Sequence, residues 1–191
     1  MTGTAEHRSN QDYAADPPAS GENFAALSRL LRACTAELMR SYGVIGLVPA
    51  ADTATADESA LAGVDFSGSD LRGTLGLQAG PALVAATYEY ALGKPMTQVD
   101  LEDWTCELAN QLLGRLKNEL LRSYGTGFSV NIPRRLWSPS TTELVNARRH
   151  RFEWDGASLC VYLDVLFAPS TQLDAQSPSE DVPDEGELLM F

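Results

Sequence analysis

Two strand-like segments joined by an Asp-Gly pair near the C-terminus constrain the fold of this chain most. Residues 142–154 and 157–168 have the composition of strands, and Asp155-Gly156 between them favours a two-residue hairpin turn. A second hairpin is predicted in residues 63–79, around a Ser-Gly-Ser-Asp turn. Because strands joined by tight turns pair antiparallel, consecutive hairpins predict an antiparallel sheet.

Three further segments have the 3.6-residue apolar spacing of amphipathic helices. The first covers residues 22–42 and stops at Gly43. The second is opened by a proline and covers residues 81–92. The third is predicted to run to about Arg122, with Asp100 as its N-cap.

Two shorter segments, residues 44–50 and 128–133, are predicted to be strands, the first of them buried. The order of helices and strands predicts an α+β domain, in which long helices pack on an antiparallel sheet. Residues 1–21 and 169–191 are polar and contain few apolar side chains, so both are predicted to be disordered tails. The domain itself is expected over residues 22–168.

The charge of the chain argues against several classes of partner, although it leaves room for a small local site. Acidic residues outnumber basic ones 26 to 14, and the net charge is −12. Nucleic acids and anionic membranes would be repelled by such a chain. No apolar segment approaches membrane-spanning length and the N-terminus does not resemble a signal peptide, so a cytoplasmic location is expected.

Neither the cysteines nor the histidines have the spacing of a metal site. Cys34, Cys106 and Cys160 are scattered and are expected to be reduced thiols. The two histidines lack spaced partners, so no metal is expected. The basic run at residues 148–151 could contact a phosphate, but it is interpreted as the solvated edge of a strand.

The third helix has a polar stripe opposite its leucines. Asp103, Glu107, Asn110 and Gly114 lie within a wedge of roughly 60° when each residue advances about 100°. A solvated helix face ordinarily has this composition. Two details favour a function instead: Asn is a poor helix former, and Asp103 and Glu107 are like charges one turn apart.

With a distant proline, these residues form a longer pattern. Asp103, Glu107, Asn110 and Pro133 give D-x3-E-x2-N-x22-P, which resembles the signature of the CheC/CheX family of chemotaxis phosphatases. The segments "FSGSDLRGTLGL" and "FSVNIP" also resemble the hairpin and the proline-bearing strand of that family. The resemblance covers about residues 22–168.

The resemblance implies a substrate and a set of roles. The substrate would be the aspartyl phosphate of a phosphorylated CheY-like receiver domain, whose own site holds Mg²⁺, and the chain would need no cofactor of its own. Asn110 would position the hydrolytic water, and Glu107 would pair with the receiver's lysine. Asp103 would help docking, Gly114 would permit close approach, and Pro133 would shape the neighbouring strand.

One departure from the family pattern reduces the number of implied active sites from two to one. CheC proteins have a second E-x2-N in the first helix, where this chain has Glu37 and then Arg40. A single CheX-like site is therefore implied, in a protein expected to form a homodimer. The alternative is a catalytically silent, CheX-like dimeric adaptor in a signalling or flagellar motor complex. The apolar tip at residues 188–191 is either a frayed terminus or a short docking peptide.

Overall fold

The computed structural model describes residues 19–51, 60–136, 144 and 146–173, and the fold is that of these residues. The described helices are α1 (Ala19–Ser41), α2 (Pro81–Leu92) and α3 (Gln98–Tyr124). The described strands are β1 (Val48–Pro49), β2 (Ala60–Ser67), β3 (Leu71–Ala79), β4 (Ser129–Val130), β5 (Arg134–Leu136), β6 (Arg148–Trp154) and β7 (Ala157–Phe167).

The described strands form one seven-stranded antiparallel sheet. Its order is β1-β6-β7-β3-β2-β4, and β5 also pairs with β2. At the β6–β7 turn Asp155 and Gly156 have φ of 46° and 76°, the left-handed geometry that an Asp-Gly turn adopts. The β2–β3 hairpin pairs from Ala60 opposite Ala79 to Ser67 opposite Arg72. Both predicted hairpins and the antiparallel sheet are confirmed, but β6 begins at Arg148 and not at residue 142, since Leu144 and Asn146 lie in turns.

All three helices contribute to a core on one face of this sheet. Helix α3 lies across β2 and β3 and also contacts α1 and α2. Its buried residues are Leu101, Thr105, Leu108, Ala109, Leu112, Leu113, Leu116 and Leu120. The opposite face of the sheet has a smaller apolar cluster, formed by Leu61, Leu136, Leu144, Cys160 and Tyr162. The predicted α+β architecture is confirmed, with helices packed on one face of the sheet.

The two short predicted strands differ from expectation. Only Val48 and Pro49 of residues 44–50 pair with the sheet, and both are exposed, so the prediction of a buried strand is wrong. Gly46 has φ of 86°, a turn conformation that keeps the segment from extending further. The predicted strand at residues 128–133 pairs at β4 and then breaks before Pro133, which has no N–H to donate to a ladder.

The start of α3 also differs from the prediction. Thr97 is the N-cap, and its side chain accepts a hydrogen bond from the Asp100 backbone N–H. The Asp100 carboxylate in turn accepts from the Thr97 backbone N–H at 2.9 Å, which completes a capping box. Asp100 is therefore the third helical residue and not the cap. The helix continues to Tyr124, where Gly125 ends it with φ of 67°.

The first residues of the predicted C-terminal tail pack on α1. Asn23 Nδ2 donates to the carbonyl oxygen of Thr171 at 2.8 Å, and the Leu173 N–H donates to Asn23 Oδ1 at 2.8 Å. Thr171 and Leu173 are both buried. The remainder of the predicted tails, residues 1–18 and 174–191, lies outside the described residues.

The contact between β3 and β7 provides a test of the sheet. A Cβ added at Gly73 would lie 2.0 Å from the carbonyl oxygen of Asp164, an atom fixed within the β7 backbone. We expect Gly73→Ala to lower the free energy of unfolding by about 1–3 kcal/mol, measured by urea unfolding. Gly21→Ala is the matched control, because a Cβ there meets no atom within 4 Å. Equal stability of the two variants would contradict the close packing of β3 on β7.

Candidate functional site

The polar stripe of α3 lies on the side of the helix away from the core. Asp103 is exposed, while Glu107, Asn110 and Gly114 are half-buried. These four residues follow one another at intervals of one helical turn, opposite the buried leucines. The structure therefore brings together the acid–amide stripe that the sequence predicts.

A chain of two hydrogen bonds holds the carboxylate of Glu107. Gln111 Nε2 donates to Glu107 Oε1 at 2.7 Å, and Gln111 Oε1 accepts from the Tyr42 hydroxyl at 2.7 Å. Sequence reasoning missed both supporting residues. The four-residue spacing of Glu107 and Gln111 could have suggested their pairing. Tyr42 is 69 residues from Gln111, and no local pattern connects the two.

Aromatic side chains fix this part of α3 against the other two helices. The Tyr42 ring lies edge-on to Trp104 at 5.6 Å between centroids, and Tyr88 of α2 lies edge-on to Trp104 at 5.5 Å. Trp104 Nε1 donates to Thr87 Oγ1 at 2.9 Å. Since Trp104 is one turn before Glu107, these contacts hold the backbone that bears the stripe.

Asn110 and Gly114 have no comparable internal role. Among the residues that the structure describes, none forms a hydrogen bond with the Asn110 side chain. A Cβ added at Gly114 would meet nothing within 4 Å. The stripe therefore consists of an oriented carboxylate, an available amide and an open space over the next turn of the helix.

The fifth predicted site residue lies on a different element. Pro133 is half-buried in the link between β4 and β5. Strand β5 is joined to the first half of α3 by an ion pair between Arg135 and Glu102. Pro133 therefore lies two residues from the anchor that connects this strand to α3, and its effect on the stripe stays a prediction.

Acidic groups dominate the electrostatics of the stripe. Burial raises the pKa of the Cys106 thiol, and the carboxylates of Asp103 and Glu102 raise it further, while Arg135 opposes them. Cys106 is therefore protonated at neutral pH and is not a nucleophile. The same negative field favours a cationic group of a partner over a free phosphate ion at this face.

Other kinds of site find no support in the described residues. All three cysteines are free, and burial raises the pKa of the Cys34 thiol to about 12. Across the described ranges, no group of three or more His, Cys, Asp or Glu side chains is placed to hold a metal ion. Nor does any helix in the described part of the chain combine the length and the apolarity needed to cross a membrane.

No protein-family model matches the sequence, and no curated protein matches it either. Solved structures do resemble the fold. The chemotaxis protein CheX from Vibrio vulnificus is 15% identical with a TM-score of 0.61, covering 73% of this chain and 95% of its own. A CheC-like superfamily protein from Shewanella sp. PV-4 is 14% identical with a TM-score of 0.58, covering 73% of this chain and 96% of its own.

A third structure with the same fold contains a partner protein. It is the complex of CheX with CheY, BeF3 and Mg²⁺ from Borrelia burgdorferi, which is 12% identical with a TM-score of 0.58. The match covers 73% of this chain and 97% of that one. This chain therefore has the CheC/CheX fold, as the resemblance of its motifs implied.

The stability of the protein without a partner tests whether the polar residues of the stripe have a structural role. We expect Asn110→Ala to raise the free energy of unfolding by roughly 0.5 kcal/mol and Gly114→Ala by about 1 kcal/mol, because alanine is the better helix former at both positions. Urea unfolding followed by circular dichroism measures both. Leu108→Ala, on the buried face, should instead cost about 2–5 kcal/mol. Destabilisation by Asn110→Ala would show that the amide has a structural role.

Proposed function

We propose that this protein is a phosphatase that hydrolyses the aspartyl phosphate of a CheY-like receiver domain. One observation supports it most: an oriented carboxylate at Glu107 and an available amide at Asn110 lie one turn apart on an open helix face. The complex of the Borrelia burgdorferi neighbour with CheY supports a receiver domain as the partner.

Asn110 is proposed to position the attacking water. An aspartyl phosphate is a reactive mixed anhydride, so hydrolysis requires a water molecule in line with the phosphorus more than it requires a strong base. The carboxamide oxygen accepts from such a water and its NH₂ group donates to it. A carboxylate at this position would be repelled by the phosphoryl oxygens, which explains an amide here.

Glu107 is proposed to dock the receiver by pairing with a lysine of the receiver's active site. Its hydrogen bond from Gln111 fixes the carboxylate before the partner arrives, so less conformational entropy is lost on binding. Asp103 adds negative charge one turn away, and charge of this sign attracts a lysine. Gly114 leaves room for the receiver backbone.

The Mg²⁺ in this reaction belongs to the phosphorylated receiver and is part of the substrate. It neutralises charge on the phosphoryl group, while Asn110 and Glu107 supply position. A homodimer and a cytoplasmic location stay expectations from the resemblance and the composition. The alternative function, a silent dimeric adaptor, would leave the Glu107–Gln111–Tyr42 chain without a purpose.

The direct test measures phosphate loss from phosphorylated CheY-like receivers. We expect the wild type to accelerate loss, and Asn110→Ala to lower kcat by about 100-fold because the water is no longer aligned. We expect Glu107→Ala mainly to raise KM, since it removes a charge-assisted contact to the partner.

Glu37→Ala is the matched control for that experiment. Glu37 is an exposed glutamate of α1 followed by Arg40 where a second site would need an asparagine. Its removal should leave both kinetic constants unchanged. A wild type that is inactive on every receiver tested would reject the phosphatase and favour the adaptor.

Gln111 and Tyr42 are proposed as positioning residues. The hydrogen bond from Gln111 orients Glu107, and losing it should weaken receiver binding by roughly 1 kcal/mol. Gln111→Leu should therefore raise KM about fivefold with kcat nearly unchanged. Tyr42→Phe should produce a smaller change in the same direction. The control is Tyr90→Phe, because Tyr90 is 65% exposed on α2. A fall in kcat without a change in KM would contradict a positioning role.

A further inference from the structure

A basic cleft lies between the first turns of α1 and the start of β6, apart from the stripe of α3. It has a volume of about 430 Å³. Its lining residues are Phe24, Ala25, Ser28, Arg29, Arg32, Arg148, Arg149 and His150. Four of the 14 Lys and Arg residues of a chain with net charge −12 are thus gathered in one place. This concentration of positive charge needs an explanation.

The side chains of the cleft hold one another in place. The guanidinium of Arg148 lies 4.0 Å from the centroid of the Phe24 ring. Arg32 Nε donates to Nδ1 of His150 at 3.4 Å. His150 is only 6% exposed and Arg151 only 9%, so the prediction that residues 148–151 form a solvated strand edge is wrong for these two residues.

The imidazole of His150 is a neutral group in the wall of the cleft. Burial lowers the pKa of His150, and the charges of Arg32 and Arg148 lower it further, so the imidazole is neutral at pH 7. Because Nδ1 accepts from Arg32, the proton is assigned to Nε2. Nε2 is buried, and no described residue accepts a hydrogen bond from it. A buried N–H without an acceptor is unfavourable.

Three of the four arginines of the cleft have no compensating carboxylate within the described residues. None of the lining residues is acidic. Across the described ranges, Arg29, Arg32 and Arg148 have no carboxylate within salt-bridge distance. Like charges held this close repel one another, so an acidic ligand would stabilise the cleft.

The chain itself has a segment of the required charge, and it starts beside the cleft. Leu173 is bound to Asn23, the neighbour of Phe24 in the cleft wall. The 18 residues that follow, 174–191, contain six acidic residues and no Lys or Arg. These residues can span up to roughly 60 Å, which is far more than the distance to an adjacent cleft requires.

We propose that the acidic C-terminal segment, residues 174–191, docks on this basic cleft within the same molecule. Carboxylates of the segment would pair with Arg29, Arg32 and Arg148, which are all exposed. The short tether gives an effective concentration on the order of millimolar, so even a weak electrostatic contact is populated. Docking of this kind is sensitive to salt.

The test uses the full chain and a glutamyl endopeptidase, which cuts after Glu180, Glu185 and Glu187 of the segment. At low salt we expect the wild-type segment to be cut about fivefold more slowly than that of Arg29→Glu/Arg32→Glu, because docking withdraws it from the protease. At about 0.5 M NaCl the two rates should converge. Arg40→Glu/Lys94→Glu has the same net charge, with both changes on exposed residues outside the cleft, and should behave as the wild type.

Three results would overturn the proposal. Equal cutting rates in all three proteins at low salt would show that the segment does not dock on the cleft. Protection that disappears when the protein is diluted would assign the segment to the cleft of a second copy. Cutting of Arg40→Glu/Lys94→Glu as fast as that of Arg29→Glu/Arg32→Glu would show that net charge, and not the cleft, sets the rate. No receiver domain is used, so the outcome is independent of the proposed phosphatase activity.

Discussion

The burial of the leucine face of α3 determines much of this structure. The helix lies across β2 and β3 and contacts α1 and α2 as well, so its leucine face is covered from several sides. A helix packed in this way cannot rotate without exposing several leucines. Burial of each leucine stabilises the fold by about 1.5–3 kcal/mol. The orientation of its open face is therefore fixed, and Glu107 and Asn110 lie on that face.

That constraint separates stability from function along a single helix. Truncating a leucine on the apolar face leaves a cavity and costs stability, whereas the open face contains residues that weaken the helix. Asparagine and glycine are both poorer helix formers than alanine, and neither Asn110 nor Gly114 makes up this loss through a side-chain contact within the described residues. Residues that cost stability without a structural return are expected at functional sites.

Features that depend on local residue spacing could be predicted from the sequence. The leucine periodicity of α3 and the Asp155-Gly156 turn are determined within a few residues, and both are confirmed. The stripe followed from the same periodicity, because the buried face of a helix also defines its open face. The roles of Glu107 and Asn110 came from a resemblance and stay proposals.

Features that depend on distant parts of the chain were missed. Tyr42 supports the site through a contact 69 residues away, and the Arg32–His150 contact connects residues 118 apart. Residues 44–50 were predicted to be buried because they are apolar, but they pass the edge of the sheet and pair at only two positions. Burial of so short a segment is decided by which element covers it, and composition does not record that.

The chain separates opposite charges in space although its net charge is strongly negative. The stripe of α3 lies in a negative field, whose carboxylates add to the effect of burial in raising the pKa of Cys106, while the cleft between α1 and β6 is positive. At physiological salt each field decays over about 8 Å, so the two surfaces act on different partners. An acidic segment tethered beside the cleft meets attraction there and repulsion at the stripe, whereas a lysine of a receiver meets the reverse. The same electrostatic rule would thus assign the segment to the cleft and leave the stripe open to its partner.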